Sequence, residues 1–176
     1  MQERTKQARF EEAVLPHLDA AYNVARWLVR NDQDAEDMVQ EAVIRALKSF
    51  GGFYGLDGRA WLLTIVRNTC YTWLQRNRVH ELVTTPFEDE MYNQDCDAAN
   101  PETLLLHSAN TLLVRQAVEG LPLAFREVIV LRELEGLSYK DIATVTGIPL
   151  GTVMSRLARA RQRLLEQLSL PVNKEY

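Results

Sequence analysis

Apolar residues recur at helical period through most of the chain. Val14, Leu18, Tyr22, Ala25 and Leu28 share one face of a helix expected over residues 10–30. Val39, Ala42, Val43, Ala46 and Leu47 share a face of a second, over residues 33–49. Gly51, Gly52 and Gly55 then break the period, because glycine is costly inside a helix, and a loop is expected there. Asp57 is a candidate cap for a third helix, over residues 58–78, with Leu62, Ile65, Val66, Thr69, Cys70 and Trp73 inward. Residues 79–100 lose the period and read as a linker. Asn100 followed by Pro101 has the form of a helix start. Further helices are expected over residues 101–119, 123–135, 139–146 and 150–168. No strand-like alternation is sustained. The pattern predicts an all-α chain of two small helical domains, residues 1–78 and 101–176, joined by a flexible linker.

The last two helices form a helix-turn-helix. Ser138 is a good N-cap, with Asp141 at the capping-box position three residues on. Ile142, Ala143 and Val145 supply apolar contacts, Gly147 permits the turn, and Pro149 marks the next helix. That helix sorts its residues at period 3.6. Val153, Leu157, Ala160 and Leu164 lie on one face. Thr152, Ser155, Arg159 and Gln162 lie opposite, flanked by Arg156 and Arg163. No acid occurs between Asp141 and Glu166, so the arginines lack a sequence-local partner and an external polyanion suits them. A polar helix presented this way fits a DNA major groove, with Ser155 and Arg159 deepest and Arg156, Arg161 and Arg163 toward the phosphate walls.

Charge adds the next layer. The 176 residues carry a formal net charge of −4 and a pI near 5.5, unusual for a DNA binder until the charges are located. Arg59, Arg67, Arg76 and Arg78 occur in a stretch without an acid. Glu81, Glu88, Asp89, Glu90, Asp95, Asp97 and Glu102 follow without a lysine or arginine. Two basic helical elements thus flank an acidic linker. Cys70 and Cys96 form no CxxC pair and are expected as reduced thiols, Cys70 in the core. There is no signal-like apolar run and no segment of membrane-spanning length, so a cytoplasmic chain without membrane insertion is expected. His17, His80 and His107 are isolated and no Glu-x-x-His occurs. With no nucleophile–base pair and no phosphate-binding glycine loop, the sequence suggests neither an enzyme nor a metal or cofactor site.

The third helix has chemistry on its outer side. Thr64, Arg67, Asn68, Tyr71, Gln75 and Arg78 combine cations, amides and an aromatic without a carboxylate. Cations hold phosphates, and aromatic and amide groups engage bases. The glycine-bounded loop adds Phe53 and Tyr54, placed to hold an unstacked base. The same helix also reads as an ordinary amphipathic core helix, with Trp61 and Trp73 as core. On the second helix, Asp37, Gln40, Glu41 and Ile44 form an exposed strip, acidic and apolar together, which suits a partner protein with a basic surface.

Four motifs in order resemble bacterial extracytoplasmic-function (ECF) sigma factors of the sigma-70 superfamily, with region 2 and region 4 domains only. They are Asp34-Ala-Glu-Asp-Met-Val-Gln-Glu41, Ala60-Trp-Leu with Ile65-Val-Arg-Asn68, Gly136-Leu-Ser-Tyr-Lys-Asp-Ile-Ala143, and Gly151-Thr-Val-Met-Ser-Arg-Leu-Ala-Arg-Ala-Arg161. The resemblance covers residues 10–168. It implies that Asp37, Gln40, Glu41 and Ile44 dock on the β′ clamp helices of core RNA polymerase. It implies that Phe53, Tyr54, Trp61, Thr64, Arg67, Asn68 and Tyr71 melt and read the −10 element. It implies that Thr152, Met154, Ser155, Arg156, Ala158, Arg159, Gln162 and Arg163 read the −35 element, while their domain sits on the β flap. The linker is implied to thread the polymerase near the RNA exit channel, and an anti-sigma factor to hold the chain inactive until a stress signal. Met154 and Ala158 stand where the family often has basic and larger residues, and both suit apolar contact with a thymine methyl. The loop of residues 53–58 is also not the family's commonest form. These departures bear on the promoter sequence. The alternative is a helix-turn-helix regulator that does not bind core polymerase, against which the strandless first block argues.

Overall fold

The computed structural model describes residues 2–55, 57–83 and 107–169. The acidic residues 84–100, with Cys96, and the Asn100–Pro101 helix start lie outside the described residues.

The N-terminal block opens with α1 (Gln2–Val14) and, after a 3-10 turn at Leu15–His17, α2 (Leu18–Val29). The single helix expected over residues 10–30 is therefore two. Pro16 sits in the turn, where its missing N–H would have broken an α-helical ladder. Arg30 ends α2 in the left-handed region (φ 63°), its N–H donating to the Arg26 carbonyl. Asn31 then caps α3 (Asp32–Ser49), its side-chain oxygen accepting from the Asp34 N–H at 3.0 Å. The buried stripe of α3 is Ala35, Met38, Ala42 and Ala46, with Val39 and Val43 half-buried. Leu47, expected on the core face, is 54% exposed, because it lies beyond the edge of a stripe narrowed by three alanines.

A 3-10 turn at Phe50–Gly52 leads to the loop and to α4 (Gly58–Val83). Gly58 is where α1 and α4 touch, since a Cβ there would overlap the Ala13 carbonyl oxygen. The helix runs on to Val83, into the segment expected as linker. Leu62, Leu63, Val66 and Cys70 are fully buried between α2 and α3. Each buried leucine or valine stabilises the fold by about 1.5–3 kcal/mol relative to its exposed state.

The C-terminal block holds α5 (His107–Glu119), α6 (Leu123–Ile129), α7 (Tyr139–Thr146) and α8 (Leu150–Ser169). The helix expected over residues 123–135 turns from α to π at Val130–Leu134. Ser138 caps α7 as expected, accepting from the Asp141 N–H at 3.1 Å. Gly147, at φ 70°, closes α7 with a bond to the Ala143 carbonyl. The described residues are helical and contain no strand, in two helical blocks as the pattern predicts. The blocks do not stand apart. α4 packs on α7 and α2 on α6, and one contiguous apolar core runs through both.

Candidate nucleic-acid and partner interfaces

On α8 the sorting of faces follows the sequence pattern. Val153, Leu157 and Ala160 are buried and Leu164 is half-buried against the block. Met154, Ser155, Ala158, Arg159, Gln162 and Arg163 are exposed, while Thr152 and Arg156 are half-buried. Arg156 and Arg159 have no ion-pair partner among the described residues. Arg161, expected toward phosphate, instead turns back to the π turn. Its Nη2 and Nε donate to Glu133 Oε1 at 2.7 and 3.1 Å. These bonds raise the Arg161 pKa above its ordinary value. Arg163 lies over the Phe125 ring, 4.9 Å from its centroid, and Gln162 donates to Glu166 at 3.2 Å.

The loop before α4 treats its two aromatics differently. Phe53 is stacked in a cluster, its centroid 4.5 Å from Trp61 and 5.7 Å from Phe50. Tyr54 is 89% exposed. Phe53 and the half-buried Trp61 pack into a wall, and Tyr54 beside it is open to solvent.

The outer side of α4 departs further from expectation. Asn68 is exposed, and the Thr64 hydroxyl donates to the Ala60 carbonyl at 2.7 Å. Arg67 and Tyr71, expected on an open face, are covered by the C-terminal block and bonded to it through Glu127. Arg67 Nε donates to Glu127 Oε1 at 2.5 Å, its Nη2 reaches Oε2 at 3.5 Å, and the Tyr71 hydroxyl donates to Oε2. The Arg67 guanidinium lies 3.6 Å from the Tyr71 ring centroid. Only 1% of the Glu127 side chain meets solvent, against 18% for Arg67. Burial pushes the Tyr71 phenol well above its ordinary range, and the Glu127 carboxylate adds to the effect. Burial disfavours the Arg67 cation, but its hydrogen bond and attraction to Glu127 outweigh that and raise its pKa.

Two further polar contacts cross between the blocks. Arg59 donates to the Glu135 backbone carbonyl and approaches that residue's carboxylate at 3.7 Å. Arg126, 6% exposed, donates to the carbonyls of Glu119, Leu121 and Leu28 at 3.2, 3.2 and 3.3 Å. Burial, with Arg30 nearby, lowers its pKa to about 10. The sequence pattern did not single out Glu127 or Arg126. The available signal was a charged pair inside the apolar run of residues 121–131, where charges are rarely fully buried unless paired.

On α3, Asp37 and Gln40 are exposed, Glu41 is half-buried and held by Arg45 at 2.8 Å, and Ile44 is 49% exposed. These residues form the expected strip, and exposed Leu47 extends it by a turn. Between the blocks, Trp27, Val114, Val118, Ile129, Leu134 and Leu164 line a largely apolar groove of about 740 Å³. Arg26, Arg115, Glu119 and Glu133 also border it. Among the described residues there is no helix long and apolar enough to cross a membrane, and no cluster of metal-ligating side chains.

A capped helix-turn-helix with an exposed basic helix, behind a helical block with an exposed acidic strip, defines the architecture of a two-region sigma factor. The chain matches the Sigma-70 region 2 model over residues 13–79 and the Sigma-70 region 4 model over residues 111–164. It is 34% identical over 168 residues to the RNA polymerase sigma-H factor of Pseudomonas aeruginosa, covering 92% of this chain and 87% of that one. It is 34% identical over 161 residues to the ECF RNA polymerase sigma factor SigE of Mycolicibacterium smegmatis, covering 91% of this chain and 62% of that relative's length. Among solved structures, the sigma factor RpoE of Bartonella quintana, in complex with the anti-sigma factor NepR, superposes with a TM-score of 0.75. The identity is 29%, covering 93% of this chain and 98% of that one. The chain belongs to the ECF family of sigma-70 factors.

Proposed function

We propose that this chain is a dissociable promoter-specificity subunit of RNA polymerase, working in the cytoplasm and without catalytic activity of its own. In this reading α3 docks on the β′ clamp helices of the core enzyme through Asp37, Gln40, Glu41 and Ile44. The loop and α4 open and read the −10 element. Tyr54 receives an unstacked base against the wall of Phe53 and Trp61, and Thr64, Arg67, Asn68 and Tyr71 meet the strand. The helix-turn-helix sits on the β flap, and α8 reads the −35 element.

The observation that carries the reading is the exposed face of α8. Ser155 and Arg159 lie opposite the buried Val153–Leu157–Ala160 stripe, with apolar Met154 and Ala158 exposed to one side of them. Among the described residues Arg156 and Arg159 have no carboxylate partner, and phosphate or base edges suit them. An anti-sigma factor is the proposed regulator. The likeness of the packed arrangement to a sigma factor bound to NepR supports this, as does the apolar groove between the blocks.

The test is reconstitution. Purified chain with core RNA polymerase should initiate at specific promoters, where core alone does not. Charge reversal at both Asp37 and Glu41 should weaken core binding with the helical fold intact, since Asp37 is exposed and the Glu41–Arg45 pair that is lost is an i,i+4 surface contact worth about 0.3–0.5 kcal/mol. Failure to bind core at low salt would overturn the proposal.

A further inference from the structure

We infer that Glu127 is a built-in competitor of DNA: its carboxylate occupies the Arg67–Tyr71 face of α4 and holds the two blocks closed over it. The inference rests on the −10 reading of that face for its DNA half and on geometry alone for the closure.

The site has the form of an anion subsite. A guanidinium stacked on a phenol ring presents N–H and O–H donors in one direction, which suits two oxygens of a carboxylate or a phosphate. Glu127 fills it with both oxygens, Oε1 on Arg67 and Oε2 on Tyr71 and Arg67. The carboxylate comes from α6, and both donors come from α4 in the other block. The contact therefore exists only when the blocks are packed together. Glu127 is otherwise among the largest fully buried side chains, surrounded by Val128, Leu131 and the rest of the shared core. A buried carboxylate without such donors is costly, so opening the blocks must either hydrate Glu127 or leave it unpaired. DNA and Glu127 cannot hold Arg67 and Tyr71 together. The apparent affinity for the −10 strand is thus reduced by the fraction of chains that are open.

Arg59 with Glu135 and Arg126 with Leu28 add to the closed state but leave the donors of Arg67 alone. Glu127 is the member whose loss both loosens the closure and frees the DNA face. An anion on the C-terminal block thereby links promoter access to interdomain closure.

The experiment uses the full chain with Cys96→Ser, labelled for energy transfer at Lys48→Cys on α3 and Gln167→Cys on α8, both exposed. Cys70 is fully buried and stays unlabelled. Glu127→Gln removes the charge and keeps the shape. Its transfer efficiency should fall. Its affinity for a mixed-sequence single-stranded DNA of about 20 nucleotides should rise roughly tenfold, as expected for the loss of a charge-assisted bond. Tyr71→Phe removes one donor to the same carboxylate and is read by energy transfer only, where it should shift in the same direction. It decides the closure question if Glu127→Gln does not fold, as judged by circular dichroism. Folded variants with unchanged transfer efficiency would overturn the closure. A fall in transfer with unchanged DNA affinity for Glu127→Gln would overturn the competition, and Arg67→Ala separates this from the −10 reading: weakened DNA affinity keeps that reading, and unchanged affinity ends it.

Discussion

At the scale of single residues, the useful distinction is between arginines that the protein already uses and those it leaves free. Arg161 is neutralised by Glu133, whereas Arg156 and Arg159 are not paired among the described residues. Arg159→Ala should therefore cost about 1–3 kcal/mol on the cognate upstream element and relax sequence preference, measured against a scrambled element. Arg156→Ala should weaken both sequences alike and lower the salt slope by roughly one unit. Arg161→Ala should leave that slope nearly unchanged, because its charge is already compensated. A full unit lost at Arg161 would show that the Glu133 pair opens on DNA. Cys70 makes a separate test. Burial pushes its thiol up to about 12, so little thiolate exists at pH 8. In Cys96→Ser, a disulfide reagent should find no reactive thiol in the native chain and one after denaturation.

At the scale of elements, the caps and faces carry the argument. Removing the Ser138 oxygen leaves the Asp141 N–H without its bond, so Ser138→Ala should lower stability by about 0.5–2 kcal/mol in a denaturant titration. The loss should also weaken upstream-element binding, because α7 supports the turn that aims α8. This part of the protein was legible in the sequence, since Ser138, Gly147 and the Val153–Leu157–Ala160 stripe act through local geometry. The division at Pro16 was equally local, but the apolar period running through it concealed it. Leu47 was misplaced because helical period gives the direction of a face and not its width. Arg67 and Tyr71 were misjudged for another reason. Their polar character pointed outward from their own block, but the surface that covers them comes from a helix 60 residues on in the chain. Period cannot report which polar face a second block will bury.

At the scale of the whole molecule, one core shared by both blocks implies one unfolding event. Calorimetry should show a single cooperative transition rather than two, with calorimetric and van't Hoff enthalpies in agreement. A protease site inserted between Glu90 and Met91 tests the same point. The two cleaved halves should co-elute on gel filtration, held by the α4–α7 and α2–α6 contacts alone. Separation of the halves would show that the interblock contacts need the covalent connection to persist. Arg126 adds a directional element to this docking. Its guanidinium meets the terminal carbonyls of α5 at Glu119 and of α2 at Leu28, one from each block. Those carbonyls are the negative poles of two helix macrodipoles, and each favours a cation by about 0.3–1 kcal/mol at an exposed site, more when buried. One side chain thus serves as the shared counter-charge for two dipoles that would otherwise repel end to end. The observed closure is the orientation that brings both poles to the same cation.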